Sequence, residues 1–305
     1  MELKVSLEQW RALLAVVDAG GYAQAAEMLE KSQSAVSYAI QKMEAELDVR
    51  LFRLQGRKAV LTDVGEILYR RAQSLVIEAS RLESSAQSLA SGVEAQLYIA
   101  VDAIFPLPLL LRSLDVFAAE FPETRVELLE TVLSGTDEAL RQREVDLAIT
   151  PQVPQGLVGD VLMHARFIAV AQPDHPLHQL GRPLLLQDLR RHRQLVIRDS
   201  GSGGVDAGWL GAEQRWTVSH MSTSVHAAVM GLGFAWYPEE IIADELAKGS
   251  LQRLPLQEGE ERFADLYLVY AEADYTGPAA RRFGEILRST CANLKNQQEQ
   301  NAAHY

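Results

Sequence analysis

Cys291 is the only cysteine in this 305-residue chain. That excludes an intramolecular disulfide and any multi-cysteine zinc site, and it fits a reducing compartment. A net positive charge is lacking too: 29 Lys and Arg stand against 41 Asp and Glu, a formal charge of −12. The chain as a whole therefore does not attract polyanions, and any nucleic-acid surface must be local. The longest mostly apolar run, Val225 to Tyr237, holds a histidine and two glycines and falls short of the ~20 residues of a membrane helix. Met1 to Ser6 shows no basic segment leading into an apolar one, so the expectation is a cytoplasmic protein without export signal or membrane contact.

Reactive constellations are equally scarce. His164, His175, His178, His192, His220 and His226 form no i,i+4 pair with a glutamate, the arrangement a helical zinc site requires. His175 and His178 flank Pro176 in what reads as a loop. Gly201-Ser202-Gly203 lacks the spacing of a nucleophile elbow, and the glycine-rich run Ser200 to Gly204 lacks the Gly-Lys-Ser/Thr ending of a nucleotide loop. No catalytic residue, metal or cofactor is expected, and the chain is not read as an enzyme.

With 48% apolar and 23% charged residues, the chain has material for about two or three folded domains. Its acidity is uneven: residues 1–62 carry 8 basic and 8 acidic residues, leaving 21 against 33 in the remainder. Within the neutral part, Arg50, Arg53, Arg57 and Lys58 follow one another without an acid between them. Alone, such a run reads as a solvated face.

Its setting changes that reading. Ser6 and Gln9 have capping-box spacing, so a helix is expected from Leu7, with Leu7, Trp10, Leu14 and Val17 on one face and Gly20-Gly21 at its end. The alanine-rich stretch Ala23 to Leu29 predicts a short second helix. After a tight turn at Lys31-Ser32, Ser32 caps a third helix from Gln33 to Leu47 whose apolar face is Val36, Ile40, Met43 and Leu47. The opposite face presents Gln33, Ser34, Ser37, Tyr38, Gln41 and Lys42, groups that reach base edges and phosphates in a major groove. Small helix, turn, polar-faced helix and basic segment together suit a winged helix-turn-helix.

The run AQAAEMLEKSQSAVSYAIQKMEAELDVRLF, residues 23–52, followed by Arg57 and Leu61-Thr62, resembles the DNA-binding signature of LysR-type transcriptional regulators. Asp48 stands where that family usually has a turn glycine, and Gly21 where it often has a capping serine. Leu54 replaces the usual wing arginine, and Arg53 comes one place early. The candidate DNA-binding residues are Ser32, Gln33, Ser34, Ser37, Tyr38, Gln41, Lys42, Arg53, Arg57 and Lys58.

From Asp63 to Ala90, Val64, Leu68, Ala72, Leu75, Ala79, Leu82, Ala86 and Leu89 fall at steps of three and four. That is a coiled-coil stripe on a helix ~40 Å long, expected to pair with a copy of itself and so to set the distance between two recognition helices. Beyond Ser91-Gly92, strand-like and helix-like segments alternate, which predicts an α/β fold with mostly parallel sheet. The short runs at Ala165-Arg166 and Ala264-Asp265 are candidate crossovers between two lobes. Glu144 to Ile149, Gln172 to Leu177 and Met230 to Pro238 are similar to recurrent segments of the LysR-type effector domain.

The resulting expectation is an N-terminal all-α winged helix-turn-helix domain at 1–62, a linker and dimerisation helix at 63–90, and a two-lobed α/β effector domain of periplasmic-binding-protein type at 91–305. Lobe 1 covers about 93–165 plus 266–295, and lobe 2 about 166–265. Ligands of such folds settle where strand ends meet helix starts, which nominates Asp102, Ala103, Leu133, Ser134, Thr136, Arg198, Ser200, Ser202, His220 and Ser222. Arg198 reads either as a carboxylate partner or as a solvated pair with Asp199.

The expected function is sequence-specific binding of a dyad operator in double-stranded DNA, as a homodimer or homotetramer, controlled by a small-molecule effector, with an anion the class that helix N-termini favour. The tetramer and an RNA polymerase contact are what the family resemblance implies. Two other readings remain at this point: a small-molecule binding protein, and an α/β enzyme without DNA binding.

Overall fold

The computed structural model describes residues 3–55, 58–91, 94–205 and 207–302, with backbone alone at 54, 55, 58, 81, 84–91 and 295–302. The chain forms two compact units, Met1–Ala86 and Gln87–Tyr305.

In the first unit, helix α1 (Leu7–Asp18) opens on the capping box foreseen from sequence, with Ser6 Oγ accepting from Gln9 N and the Gln9 side chain accepting from Ser6 N. Helix α2 (Tyr22–Met28) starts at Gly21, which offers no side chain to cap it. Helix α3 (Gln33–Leu47) is capped by Ser32, which accepts from Ala35 N at 3.2 Å. It ends at Asp48 in the left-handed conformation, φ 53°, a conformation that Asp adopts at lower cost than most residues. Strands β1 (Phe52–Gln55) and β2 (Lys58–Leu61) pair antiparallel as the wing.

Helix α4 (Asp63–Ser91) follows, and its apolar stripe divides. Leu68 and Ala72 pack into the core that Leu13, Val16, Ala25, Val36, Ile40 and Met43 form between α1, α2 and α3. Leu75 and Leu82 are left 47% and 73% exposed. The side chains of Ala86 and Leu89 lie outside the described residues. Within the stripe, Leu68 and Ala72 hold the helix to its own domain, whereas Val64, Leu75 and Leu82 are presented to solvent.

The second unit alternates strand and helix: β3 (Gln96–Asp102), α5 (Leu107–Glu120), β4 (Arg125–Thr131), α6 (Ser134–Arg141) and β5 (Leu147–Thr150) build one lobe. The long strand β6 (Gly159–Ala171) leaves it, and the other lobe follows. That lobe contains a 3-10 turn (Pro176–Leu180), α7 (Leu186–Leu189), β7 (Arg193–Ile197), β8 (Gln214–Val218), α8 (Met221–Val229), β9 (Ala235–Pro238), α9 (Ala243–Ala247) and β10 (Gln252–Arg253). Strand β11 (Glu261–Tyr270) returns to the first lobe, and α10 (Pro278–Ala302) closes the chain.

The main sheet runs β10-β6-β11-β5-β3-β4, with β9 also on β6. Strands β3, β4 and β5 are parallel, as are β7 and β8 in a separate pair. The expectation of mostly parallel sheet fails at β6 and β11, which pair antiparallel along most of their length. One strand carries the chain out and the other carries it back, so they run in opposite directions. Ala165 and Ala264, read from sequence as crossover points, are cross-strand partners within this ribbon.

The cores follow the lobes. Ile99, Leu110, Phe117, Leu147, Leu266 and Phe283 anchor a cluster of the first. Ile168, Leu195, Ala228 and Tyr237 anchor one cluster of the second, and Leu177, Leu189, Phe234 and Leu254 another. His175 lies in a loop, as expected, immediately before a 3-10 turn that takes in His178; it is buried, its Nδ1 accepting from Leu177 N at 3.3 Å. Its ring lies 5.2 Å from that of His192.

Burial, with the nearby His192 and His178 adding to it, depresses the His175 pKa to about 4 from 6.5. Between those values the unfolded chain binds a proton that the folded chain refuses, so stability falls as pH drops. The stability difference between wild type and His175→Asn should narrow by about 2 kcal/mol between pH 7.5 and 5. Urea unfolding across that range reads this directly, and a difference independent of pH would mean the imidazole is not held neutral.

Candidate DNA-reading face and interlobe crevice

Helix α3 has two chemically opposed sides. Val36, Ile40 and Met43 are buried, whereas Gln33, Ser34, Tyr38, Gln41 and Lys42 are exposed and Ser37 is half-buried. Tyr38 is 66% exposed, which leaves its ring and hydroxyl free to meet a partner. Ser32, also nominated as a DNA contact, already spends its hydroxyl on Ala35 N and on Ser34 Oγ at 3.0 Å. Arg53 on the wing is exposed. The Lys58 side chain and the whole of Arg57 lie outside the described residues.

Glu44 was not among the sequence candidates. It is buried, accepting from Leu51 N at 2.7 Å and Phe52 N at 3.3 Å, with Arg50 reaching its other oxygen at 3.2 Å. A helix on one side and the first wing strand on the other are thus joined by one carboxylate. A signal for it does exist in the sequence: Glu44 falls four residues after Ile40, on the face that is otherwise apolar.

In the second unit, the loop before α6 meets the loop after β7. Asp102, at the end of β3, is 2% exposed and accepts from Ile104 N at 3.1 Å and Leu133 N at 3.0 Å. Leu133 is held at φ 53°, ψ −114°, a conformation costing a non-glycine residue about 1–3 kcal/mol. Burial pushes the Asp102 carboxyl up to about 6 against the pull of those two N–H donors, and the charge of Asp199 adds to the rise.

The next residue turns to the other lobe. Ser134 donates its N–H to Asp199 Oδ1 at 3.0 Å and its hydroxyl to Oδ2 at 2.7 Å. Asp199 also accepts from Gly201 N and Val205 N. Partial burial works against its ionisation, but these donors outweigh it and hold the carboxyl below its ordinary value. Ser200 Oγ accepts from Val132 N at 2.8 Å, and Glu138 accepts from both Ser202 N and Ser202 Oγ.

Residues 7–66 match the bacterial regulatory helix-turn-helix protein, lysR family, and residues 90–292 match the LysR substrate binding domain. The chain belongs to the LysR family. A probable HTH-type transcriptional regulator of Escherichia coli K12, YhaJ, is 32% identical over 257 residues, 82% of this chain and 86% of that one. ArgP from Mycobacterium tuberculosis shares the fold at TM-score 0.64 and 22% identity, over 95% of this chain and 98% of that structure. LysG from Corynebacterium glutamicum with bound effector Arg does so at TM-score 0.56 and 20% identity, over 95% and 99%.

This LysR-family protein is a transcriptional regulator, not an enzyme, with a helix-turn-helix that binds DNA and an effector-binding domain. Among the described residues no helix is long and apolar enough to cross a membrane, and no group of three or more His, Cys, Asp or Glu is placed to hold a metal. Of the sequence-nominated effector residues, Asp102, Leu133, Ser134, Ser200 and Ser202 meet at the junction just described. Ala103 N donates to Thr131 O, and Thr136 is buried with its hydroxyl on Thr131, behind the junction.

Arg198 makes no ion pair among the described residues, because the Asp199 carboxylate is turned to Ser134 and to its own loop. His220 stands before α8. Ser222 lines a shallow groove of about 470 Å³ with Trp216, Val218, His226 and Met230.

Proposed function

We propose that this LysR-family regulator is a cytoplasmic protein that binds a dyad-symmetric operator as a homodimer, or as a tetramer of two such dimers. Residues 1–62 read DNA, 63–90 join two copies, and 91–305 sense the effector, with lobe 1 at about 93–165 plus 266–295 and lobe 2 at about 166–265. The observation that carries the DNA reading is the exposed polar face of α3, backed by a buried apolar face on a wing scaffold. Gln33, Ser34, Ser37, Tyr38 and Gln41 take the bases, and Lys42, Arg53, Arg57 and Lys58 take phosphate. Ser32 serves chiefly as the helix cap.

The effector site is the crevice between the lobes, with Asp102, Ala103, Leu133, Ser134, Ser200 and Ser202 at the junction, Thr136 supporting them from behind, and Arg198, His220 and Ser222 at the ends of β7 and β8. The Arg198 guanidinium, which has no ion pair among the described residues, supports an effector bearing a carboxylate or another anion, as does the arginine bound to the LysG neighbour. Effector binding acts by its unequal affinity for two arrangements of the subunits on DNA, and RNA polymerase is the partner through which that arrangement is read.

A nuclease footprint on genomic fragments at two salt concentrations tests the DNA reading. Gln33→Ala, Ser37→Ala or Tyr38→Ala should relax sequence preference by about 1–3 kcal/mol at one position. Arg57→Ala or Lys58→Ala should instead weaken all sequences alike and reduce the salt slope by about 1. A sequence preference unchanged across the whole helix face would sink the assignment.

A further inference from the structure

The crevice in which the preceding reading seats the effector is bridged by the protein's own side chains. Ser134 and Asp199 are 65 positions apart and belong to different lobes, yet the serine gives both its N–H and its hydroxyl to that one carboxylate. Ser200 Oγ bonds the main chain of Val132, and Glu138 takes two donors from Ser202. The approach is close enough to require glycine on both sides: a Cβ on Gly135 would stand 2.0 Å from Ser200 Oγ, and one on Gly201 would stand 2.3 Å from Ser134 Oγ.

We propose that this set of bonds is a clasp, centred on Asp199, that keeps the two lobes shut in the free protein, so that the effector acts by opening the crevice rather than by closing it. The order of events is set by the donors. A ligand entering between the loops finds Ser134 N–H, Ser134 Oγ–H and Val205 N–H already engaged by Asp199, and it reaches them only by displacing that carboxylate.

The clasp also has opposing forces built into it. Consecutive N–H groups of Leu133 and Ser134 are given to two different carboxylates, Asp102 and Asp199, whose like charges repel. Leu133 between them is in a conformation that few non-glycine residues hold. Opening moves Asp199 away from Asp102 and relieves their repulsion, which makes the closed state breakable by a modest competing ligand.

The test is amide hydrogen exchange on the free full-length protein, with neither DNA nor effector present. In wild type, the amides of 132–136 and 199–205 should be protected. In Asp199→Ala, and to a smaller degree in Ser134→Ala, they should exchange at least about tenfold faster while β3 and β5 keep their protection. Exchange that is equally fast in wild type and variants overturns the clasp, as does protection that survives in Asp199→Ala. Loss of protection in β3 and β5 of Asp199→Ala would mark misfolding, and Ser134→Ala, which removes one hydroxyl, then decides alone.

The clasp rests on the effector reading only for its consequence, and a second arm separates the two. If the clasp stands and the reading is right, Asp199→Ala shifts the operator footprint to a form that wild type adopts only when metabolite extract is added. Faster exchange with an unchanged footprint keeps the clasp and removes its regulatory role.

Discussion

Leu75→Asp combined with Leu82→Asp should halve the sedimenting mass, from dimer to single chain or from tetramer to dimer, and weaken operator binding by about 100-fold or more. The two leucines are 47% and 73% exposed in the single chain, so aspartate there costs the DNA-binding unit almost nothing of its own core. In a paired helix the same positions face each other, and two carboxylates would be forced out of water with no cation to meet them. Loss of the pair turns a two-headed reader into a one-headed one, and joined modules exceed single ones by about 10²–10⁴ in avidity. Leu68 and Ala72, which are committed to the first unit's core, are unsuitable for the test because their loss would unfold it. A mass unchanged by the double substitution would show that α4 is not the seam.

Gly65→Ala is the second large effect, and it arises within one chain. A Cβ there would sit 2.2 Å from Leu51 O, 3.1 Å from Leu51 C and 3.1 Å from a Leu61 methyl. The nearest of these is backbone, so nothing can swing aside. Leu51 O also accepts from Thr62 N, and Thr62 Oγ1 accepts from Gly65 N. The first turn of α4, the end of the wing and its beginning therefore meet at one point. A single methyl should cost about 3 kcal/mol, as overpacking against an unyielding neighbour does. In a unit of this size that lowers the melting temperature by about 12–24 °C. Calorimetry would show the loss in the transition of the DNA-binding unit while that of the effector domain stays in place. A wild-type profile would contradict the close approach.

The two units differ in how much of them the sequence discloses. Where a local rule governs, the reading is close to the structure: Ser6 with Gln9, Ser32 with Ala35, and Asp48 in the left-handed region all involve partners within four residues. Apolar spacing likewise located α3 and its two faces. What it missed depends on partners far along the chain. Glu44 takes its role from Leu51 and Phe52, which reach it only after the wing has folded back. Arg198 has Asp199 as its neighbour in sequence, but the Asp199 carboxylate is bonded to Ser134 in the other lobe.

The extent of β6 escaped for a related reason. Gly159 to Arg166 mixes polar and apolar residues without a clean alternation, and it is a strand because β11 lies against it. His178, expected in a loop with His175, lies inside the 3-10 turn, because proline at the start of such a turn costs nothing. The crevice residues were found as positions, from strand ends and helix starts. That they would be bonded to one another was beyond any local signal.

The β6–β11 ribbon makes the distal lobe removable. Arg166 and Phe263 are cross-strand partners, and partners in such a ladder lie about 5 Å apart. A two-residue Asn-Gly link between them would close a hairpin and yield a shortened chain that lacks everything between. The clusters around Phe117 and around Tyr237 draw mainly on opposite sides of that cut. A gene could thus acquire, lose or exchange its distal lobe, and with it one wall of the crevice, by one event at a hairpin tip, with no change to the sequence of the DNA-binding end.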